Sequence, residues 1–275
     1  MNPTGRESHN TRRVFGRGGV PRYVAFVVAL GFSAGCATAR PGEVALVSDR
    51  PDFTEAVETV APKRVQLEGG YTLTRIDAYR INTAGEALVR IGVAQRAELR
   101  LDIGSYSTIT SPDGDVDGFE DAGVGMKVRL YDGPEKPSFV PSVSLVAATS
   151  VPTGSAVFRQ QAMQPEAKLA TSWTLSERLS FGANLNARWG VEESQRYMEW
   201  AASGSLGVSL TERYGMYAEV FGFDPRLDGA SRSAYGNAGL TAGLTPNFQL
   251  DVRAGVGFNG ADRDYFVGAG FARRW

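Results

Sequence analysis

The chain has 275 residues, with 29 basic and 30 acidic side chains, so its net charge is close to zero. This balance gives no electrostatic reason to bind nucleic acid, and no nucleic-acid partner is expected. The single cysteine, Cys36, excludes an intrachain disulfide, and the single histidine is His9. If this N-terminal part is removed, the mature chain has no imidazole for Ser-His, Cys-His or His-metal chemistry. We therefore expect no enzyme, no cofactor and no metal site.

Residues 1–39 have the features of an export signal. A basic stretch up to Arg22 runs into YVAFVVALGFSAG, which has the length of a signal-peptide core and is too short for a transmembrane helix. The sequence is compatible with two alternative cleavage sites. SAGC resembles a lipobox, with cleavage before Cys36 and lipidation of its thiol, whereas Ala37–Ala39 fits ordinary cleavage after Ala39. TRRVF resembles a twin-arginine signal, which exports folded proteins. The membrane β-barrel predicted below for the rest of the chain cannot fold before export, so an ordinary Arg-rich leader is favoured.

Residues 40–62 contain SDRPDFTE, in which acidic side chains surround one arginine and Pro51 interrupts regular structure. One interpretation is a periplasmic leader with a short capped turn from Asp52 to Glu55. The other is a plug-like segment inside the barrel predicted below. Its side chains Asp49, Arg50, Asp52 and Glu55 would then contact charged groups of the lumen.

Residues 63–275 alternate apolar and polar side chains with the period of two that is typical of strands. Twelve segments show it, at 64–76, 84–95, 97–108, 118–131, 137–151, 165–175, 178–191, 196–210, 213–223, 234–244, 247–258 and 264–275. Their length suits a tilted membrane crossing. Tight connections such as QRA and PN alternate with long ones such as residues 105–118. This pattern predicts an all-β, antiparallel transmembrane β-barrel of about 12 strands with periplasmic N- and C-termini.

A soluble β-sandwich or lipocalin-like barrel would also alternate, but it would wet its outer face with charge. Here the polar faces carry scattered charges of both signs, and the apolar faces carry aromatics near segment ends, as in interfacial girdles. The membrane barrel is therefore the preferred interpretation. Its predicted lumen-lining residues are Glu68, Arg90, Arg100, Asp102, Lys127, Arg129, Arg188, Glu219, Asp251 and Arg253.

The motifs SDRPDFTE and KRVQLEGGYT, together with the ending from Leu244 to Trp275, resemble an outer-membrane transporter family of the phenol-degradation meta-pathway type. The resemblance spans residues 48–275. It implies location in the outer membrane of a Gram-negative bacterium and a transport role, with aromatic compounds as the inferred substrates. The family usually has an ordinary signal peptide, and the lipobox-like Cys36 departs from that pattern.

These features favour a passive channel for small solutes, hydrophobic or aromatic ones among them. The alternative is a non-conducting structural or surface barrel that acts through its long loops. Asp113, Asp115 and Asp117 alternate as in a calcium loop but lack the glutamate that completes it, so a solvated acidic loop is favoured. In the last strand, Phe271 and Trp275 resemble a signal for the barrel assembly machinery. The expected partners are this machinery, outer-membrane lipid, lipopolysaccharide and a small-molecule solute.

Overall fold

The computed structural model describes residues 46–50, 52–192, 195–224, 232–258 and 264–275. The predicted export signal lies outside this part of the chain, as do both cleavage sites and Cys36. Among the described residues, no helix has the length and apolarity needed to cross a membrane.

The described residues form fourteen antiparallel strands in one sheet. The first seven are β1 (Val65–Ile76), β2 (Tyr79–Ala94), β3 (Ala97–Asp102), β4 (Tyr106–Ser111), β5 (Gly114–Phe119), β6 (Ala122–Tyr131) and β7 (Ser142–Val151). The other seven are β8 (Gln164–Thr174), β9 (Leu179–Glu192), β10 (Gln195–Ser209), β11 (Tyr214–Phe223), β12 (Ser233–Thr245), β13 (Phe248–Gly257) and β14 (Tyr265–Arg274).

The sheet closes on itself because β1 pairs with both β2 and β14. Its register with β14 runs from Gln66 opposite Arg274 to Arg75 opposite Tyr265. One residue further, the Trp275 amide donates to the Val65 carbonyl at 2.9 Å. Closure satisfies the backbone groups that an open edge would leave unpaired in lipid. Around the described barrel the order is β1, β2, β3 and then β6 through β14, which confirms the prediction of about 12 strands.

The connection at residues 105–118, predicted as a long loop, is mostly a β-hairpin. β4 and β5 pair as a hairpin, and β4 also pairs with the first half of β2. Gly104 has a φ of 77°, a left-handed conformation that favours glycine, and it bends the chain between β3 and β4. The hairpin therefore continues the β3–β6 pair, and its acidic residues lie in and beside a strand.

The two ends of the barrel differ in their connections. At the end that we call the turn end, β2–β3, β8–β9, β10–β11 and β12–β13 are joined by tight turns, and Trp275 lies there too. At the opposite end, the loop end, residues 152–163 form a long connection. The expected separation of short and long connections is incomplete, because Asp77–Ala78 is a tight turn at the loop end and 132–141 is a long connection at the turn end.

The two faces of the barrel wall have opposite chemistry. Leu185, Leu240 and Val252 point outward and stay exposed, whereas Arg90 and Lys127 point inward and are fully buried. A soluble barrel would place its apolar side chains inside and its charges outside. The observed arrangement is that of an outer-membrane β-barrel, whose apolar outer band faces lipid.

We expect removal of Trp275 to weaken closure of the barrel. The deletion removes two backbone hydrogen bonds, Trp275 N to Val65 O at 2.9 Å and Val65 N to Trp275 O at 3.3 Å. Each is worth about 1 kcal/mol net. The folded fraction after refolding into lipid, measured from the heat-dependent mobility of the barrel in SDS gels, should fall. Trp275→Phe keeps both bonds and serves as the control; equal loss in both variants would contradict the backbone explanation.

Candidate functional site

The described residues of the stretch 46–62, which we call the inner segment, lie inside the barrel. Near the turn end, the Ser48 hydroxyl donates to Glu68 at 3.0 Å. At mid-barrel, the Thr54 amide donates to Glu219 at 2.6 Å. The chain then returns, and the Val60 amide donates to Glu98 on β3 at 2.7 Å. The described part of this segment therefore forms a loop that rises into the lumen and comes back to β1.

The Asp49 carboxylate is the centre of a buried charge cluster. It lies 2.6 Å from Arg100 Nη1, 2.8 Å from Lys127 Nζ and 3.3 Å from Arg90 Nη1. Arg90 also pairs with Glu68 at 2.8 Å and with Glu98 at 2.9 Å. Charge-assisted hydrogen bonds are the stronger kind, and here they join the inner segment to strands β1, β2, β3 and β6.

Glu55 and the backbone of the inner segment add a second set of contacts to the same wall. Glu55 pairs with Lys168 at 2.7 Å and with Arg100 at 3.2 Å. Three backbone carbonyls of the inner segment accept hydrogen bonds from wall side chains: Ala56 from Lys127, Val57 from Ser144, and Glu58 from Arg90. The polar wall thus satisfies backbone groups that would otherwise be buried without a partner.

Arg50 occupies a niche made by two glycines. A Cβ added at Gly70 of β1 would lie 2.3 Å from its Nη2 atom, and one added at Gly270 of β14 would lie 2.4 Å from its Nε atom. The guanidinium pairs with Glu86 at 2.6 Å and with Asp251 at 3.5 Å. The wall lacks side chains where the arginine packs, so its surface is complementary to the inner segment.

The tip of the inner segment, Asp52 to Thr54, is held by Glu219 of β11. This carboxylate accepts from the Phe53 amide at 2.9 Å, and from the Thr54 amide and hydroxyl at 2.6 and 2.5 Å. Asn237 of β12 donates to it at 2.6 Å. One buried carboxylate therefore satisfies the backbone at the turn of the inner segment.

The three acidic side chains of the inner segment have different electrostatic surroundings. Burial alone would raise the pKa of Asp49, but the Arg90, Lys127 and Arg100 cations outweigh it and hold this pKa well below its ordinary value. Burial is likewise outweighed at Glu55, mainly by Arg100, which lowers its pKa to about 2. Asp52 differs, because burial and the nearby Glu219 charge together raise its pKa to about 8.

Beside the inner segment, the lumen contains an aromatic cluster and a polar cavity. The aromatic cluster consists of Phe53, Phe221, Phe223, Tyr235 and Phe266, with Phe53 and Phe221 stacked at 4.8 Å between ring centroids. The cavity, of about 380 Å³, lies on the other side, against β3 and β6 to β9. Charged side chains line it, among them Glu55, Arg100, Asp102, Glu166, Lys168 and Arg188.

The predicted lumen residues fall into three groups. Glu68, Arg90, Arg100 and Lys127 belong to the charge cluster around Asp49. Glu219 contacts the tip, Asp251 pairs with Arg50, and Arg253 pairs with Glu86, which is the other partner of Arg50. Asp102 and Arg188 border the cavity, so nine of the ten predicted lumen residues fall into these three groups. Arg129 lies nearer the turn end and pairs with Asp132.

Other observations were only partly accessible from sequence. Phe271, named with Trp275 as an assembly signal, packs near Phe248 at 6.5 Å between centroids. The aromatic cluster is not predicted by the sequence pattern, although Phe221 and Phe223 lie on the same inward face of β11 as Glu219. Their contact with Phe53 joins positions far apart in the chain, which no local pattern reveals.

Fold and site together define a class: an outer-membrane β-barrel whose lumen holds an N-terminal inner segment. The chain belongs to the family described as "Putative MetA-pathway of phenol degradation", whose model matches residues 48–275. No curated protein sequence matches it.

Several solved structures share the fold at low identity. An outer-membrane channel from Pseudomonas putida F1 is 12% identical with a TM-score of 0.60, covering 86% of this chain and 100% of that one. The NanC porin is 12% identical with a TM-score of 0.53, covering 76% and 98%. The KdgM porin, solved with disordered oligogalacturonate, is 12% identical with a TM-score of 0.51, covering 76% and 98%. At this identity the likeness shows the fold alone.

We expect Gly92→Ala to loosen the inner segment. A Cβ at this position would lie 2.0 Å from the Ala61 carbonyl oxygen and 2.5 Å from that of Val60, and both atoms belong to the inner-segment backbone. Hydrogen-exchange protection of the Val60 amide should fall by about tenfold or more. At Gly243, the nearest atom to an added Cβ is 3.6 Å away, so Gly243→Ala is the matched control. Unchanged protection in Gly92→Ala would contradict this packing.

We expect docking of the tip to weaken as the pH rises from about 5 to 8. Asp52 has a higher pKa docked than free, so docking is strongest while Asp52 is protonated and weakens as the pH rises toward its docked pKa of about 8. Asp49 and Glu55 have lowered pKa values and remain ionised throughout.

The measurement is the hydrogen-exchange protection factor of the Phe53 and Thr54 amides, which corrects for intrinsic pH dependence. Protection should fall over this range in the wild type and stay level in Asp52→Asn. The Val146 amide in β7 reports on the wall and should not change. The same decline in both proteins would show that another group is responsible.

Proposed function

We propose that the protein is a channel of the outer membrane through which small solutes diffuse passively, with the inner segment as a plug. The observation that carries this proposal is the lumen itself. Its wall has charged side chains along its length, and a separate stretch of chain fills part of it. A twelve-stranded barrel is wider than the eight-stranded barrels that their own side chains can fill. The extra width is what accommodates a removable segment.

The polar contacts of the inner segment suit a segment that can leave. Its docked position depends on ion pairs and hydrogen bonds, and water can replace these when the lumen is hydrated. Only Val57 and Val60 of its described side chains are both apolar and buried. A permanent structural core would bury more apolar surface, because the free-energy cost of exposing apolar surface to water is not offset by hydration.

Membership of a phenol-degradation family and the aromatic cluster support small aromatic compounds as solutes. The channels and porins with the same fold are in keeping with transport rather than catalysis, and the proposal contains no catalytic step. We place the turn end, with both termini of the barrel, in the periplasm. The apolar outer band contacts lipid, lipopolysaccharide lies at the loop end, and the barrel assembly machinery inserts the chain.

Deleting residues 46–60 tests the channel. The deletion removes Asp49, Arg50, Thr54 and Glu55 together with their contacts, and it leaves the turn that precedes β1. Single-channel conductance in planar bilayers should rise several-fold over the wild type, and liposomes should become permeable to a small sugar and to a phenol-like solute. Replacing the same residues with a Gly-Ser segment of equal length controls for chain length and should behave like the deletion.

Two results would count against the proposal. If folded wild-type and deleted barrels both fail to conduct or to pass solutes, the channel is excluded. The non-conducting structural barrel would then be the better interpretation. If the wild type and the deletion conduct equally, the barrel is a channel but the inner segment is not its plug.

A further inference from the structure

The aromatic cluster forms a defined site on one side of the lumen. Phe221 and Tyr235 stack at 5.2 Å between centroids with an interplanar angle of 18°, on adjacent strands β11 and β12. Phe223 stands edge-on to Phe221 at 6.0 Å, and Phe266 of β14 lies 6.4 Å away. The Arg253 guanidinium lies 5.5 Å from the Phe266 centroid. Stacked and edge-on rings with a nearby cation are the surroundings that an aromatic ring prefers.

Phe53, at the tip of the inner segment, occupies this site. Its ring stacks on Phe221 at 4.8 Å with an angle of 16°, and it meets Phe223 edge-on at 5.3 Å. Phe53 therefore fills the position that a free aromatic ring would take between two wall aromatics. Its backbone is held separately, through the amide bond to Glu219 at 2.9 Å.

The site is not sealed. Val57 and Val60, two other apolar side chains of the inner segment, are 1% and 4% exposed. By contrast, Phe53, Phe221, Phe223, Tyr235 and Phe266 all keep part of their surface open to the lumen. The wall members lie toward the loop end of their strands, because Phe223 ends β11 and Phe266 is near the start of β14. These rings take no part in the charge cluster around Asp49, so a solute ring that binds among them need not displace that cluster.

From this geometry we propose that Phe53 is a tethered occupant of a binding site for a single aromatic ring, and that a solute ring takes its place by exchange. The inference rests on the proposed channel function and deepens it, because it makes the aromatic site the point where solute binding and plug position are coupled. The exchange replaces one ring with another of the same size, so stacking with Phe221 and the edge contact with Phe223 are conserved. What the solute must overcome is the hydrogen bonding of the tip to Glu219.

The coupling follows from competition for one site. A ring cannot bind between Phe221 and Phe223 while Phe53 is there, so its binding favours the state in which the tip has withdrawn. Linkage makes this effect reciprocal: the factor by which a bound ring favours withdrawal of Phe53 is also the factor by which withdrawal of Phe53 strengthens ring binding. Solutes without an aromatic ring gain no stacking and should not compete in this way.

The probe is 4-fluorophenol, titrated into the purified full-length barrel in detergent and followed by fluorine NMR, with detergent micelles alone as the blank. Phe53→Ala vacates the site and should bind the probe about tenfold more tightly than the wild type. Val57→Ala shortens a buried side chain of the same inner segment that lies outside the aromatic cluster, leaves Phe53 in place, and should match the wild type. The double variant Phe53→Ala/Phe221→Ala removes the stacking wall and should lose the gain. 4-Fluorocyclohexanol, which lacks an aromatic ring, should show no gain in any variant.

A second readout follows the tip in the wild type. Saturating 4-fluorophenol should lower the hydrogen-exchange protection of the Phe53 and Thr54 amides and leave the Val146 amide of the wall unchanged. Unchanged tip protection at saturation would overturn the exchange, since the probe would then bind elsewhere. So would equal tightening in Val57→Ala, or an equal gain for 4-fluorocyclohexanol.

The result is separable from the channel test, because binding in detergent needs no flux. A barrel that conducts after deletion of residues 46–60 but shows no gain in Phe53→Ala refutes this inference alone. A barrel that never conducts but binds the ring as described refutes the channel and keeps the aromatic site.

Discussion

The structure depends on the balance of buried charge around Asp49. Arg90 and Lys127 have no exposed surface, and Arg100 is 7% exposed, so the wall holds several cations away from bulk water. Glu68 and Glu98 offset part of this charge, and the inner segment supplies the rest through Asp49 and Glu55. A buried cation that loses its only counter-charge costs about 3–5 kcal/mol. The buried cations of the wall therefore need either the inner segment or water beside them in the lumen.

That condition explains how an inner segment that is firmly docked could still leave the lumen, as the proposed plug requires. Its contacts are strong only while the lumen is dry, since ion pairs weaken greatly once water surrounds them. The shape of the wall determines where the inner segment lies and adds little to the strength of its binding. Gly70, Gly270 and Gly92 leave space where Arg50 and the 60–61 backbone pass, and a different segment would not fit the same recesses. Charge holds the inner segment in the lumen, and the missing side chains determine where it lies.

The sequence could predict the barrel because membrane strands alternate strictly, and Leu179 to Trp189 shows this as well as any strand. The β4–β5 hairpin escaped because Asp113, Asp115 and Asp117 suggested a solvated loop and hid the alternation of its partner strand. The alternation also predicted that the Glu68, Arg90 and Glu219 side chains point into the lumen. Their partners were not, since Arg50 reaches Asp251 across some 201 positions of chain. Pairing at such distance depends on closure of the barrel, which no local pattern contains.

The inner segment is not held equally along its length. Toward the turn end, Asp49, Glu55 and the buried Val57 and Val60 bind it through several opposite charges and close packing. At the tip, the Asp52 carboxyl lies near the Glu219 charge, and Phe53 remains partly open to the lumen. Local opening in proteins begins where such stabilising contacts are fewest. The tip should therefore withdraw before the rest of the inner segment.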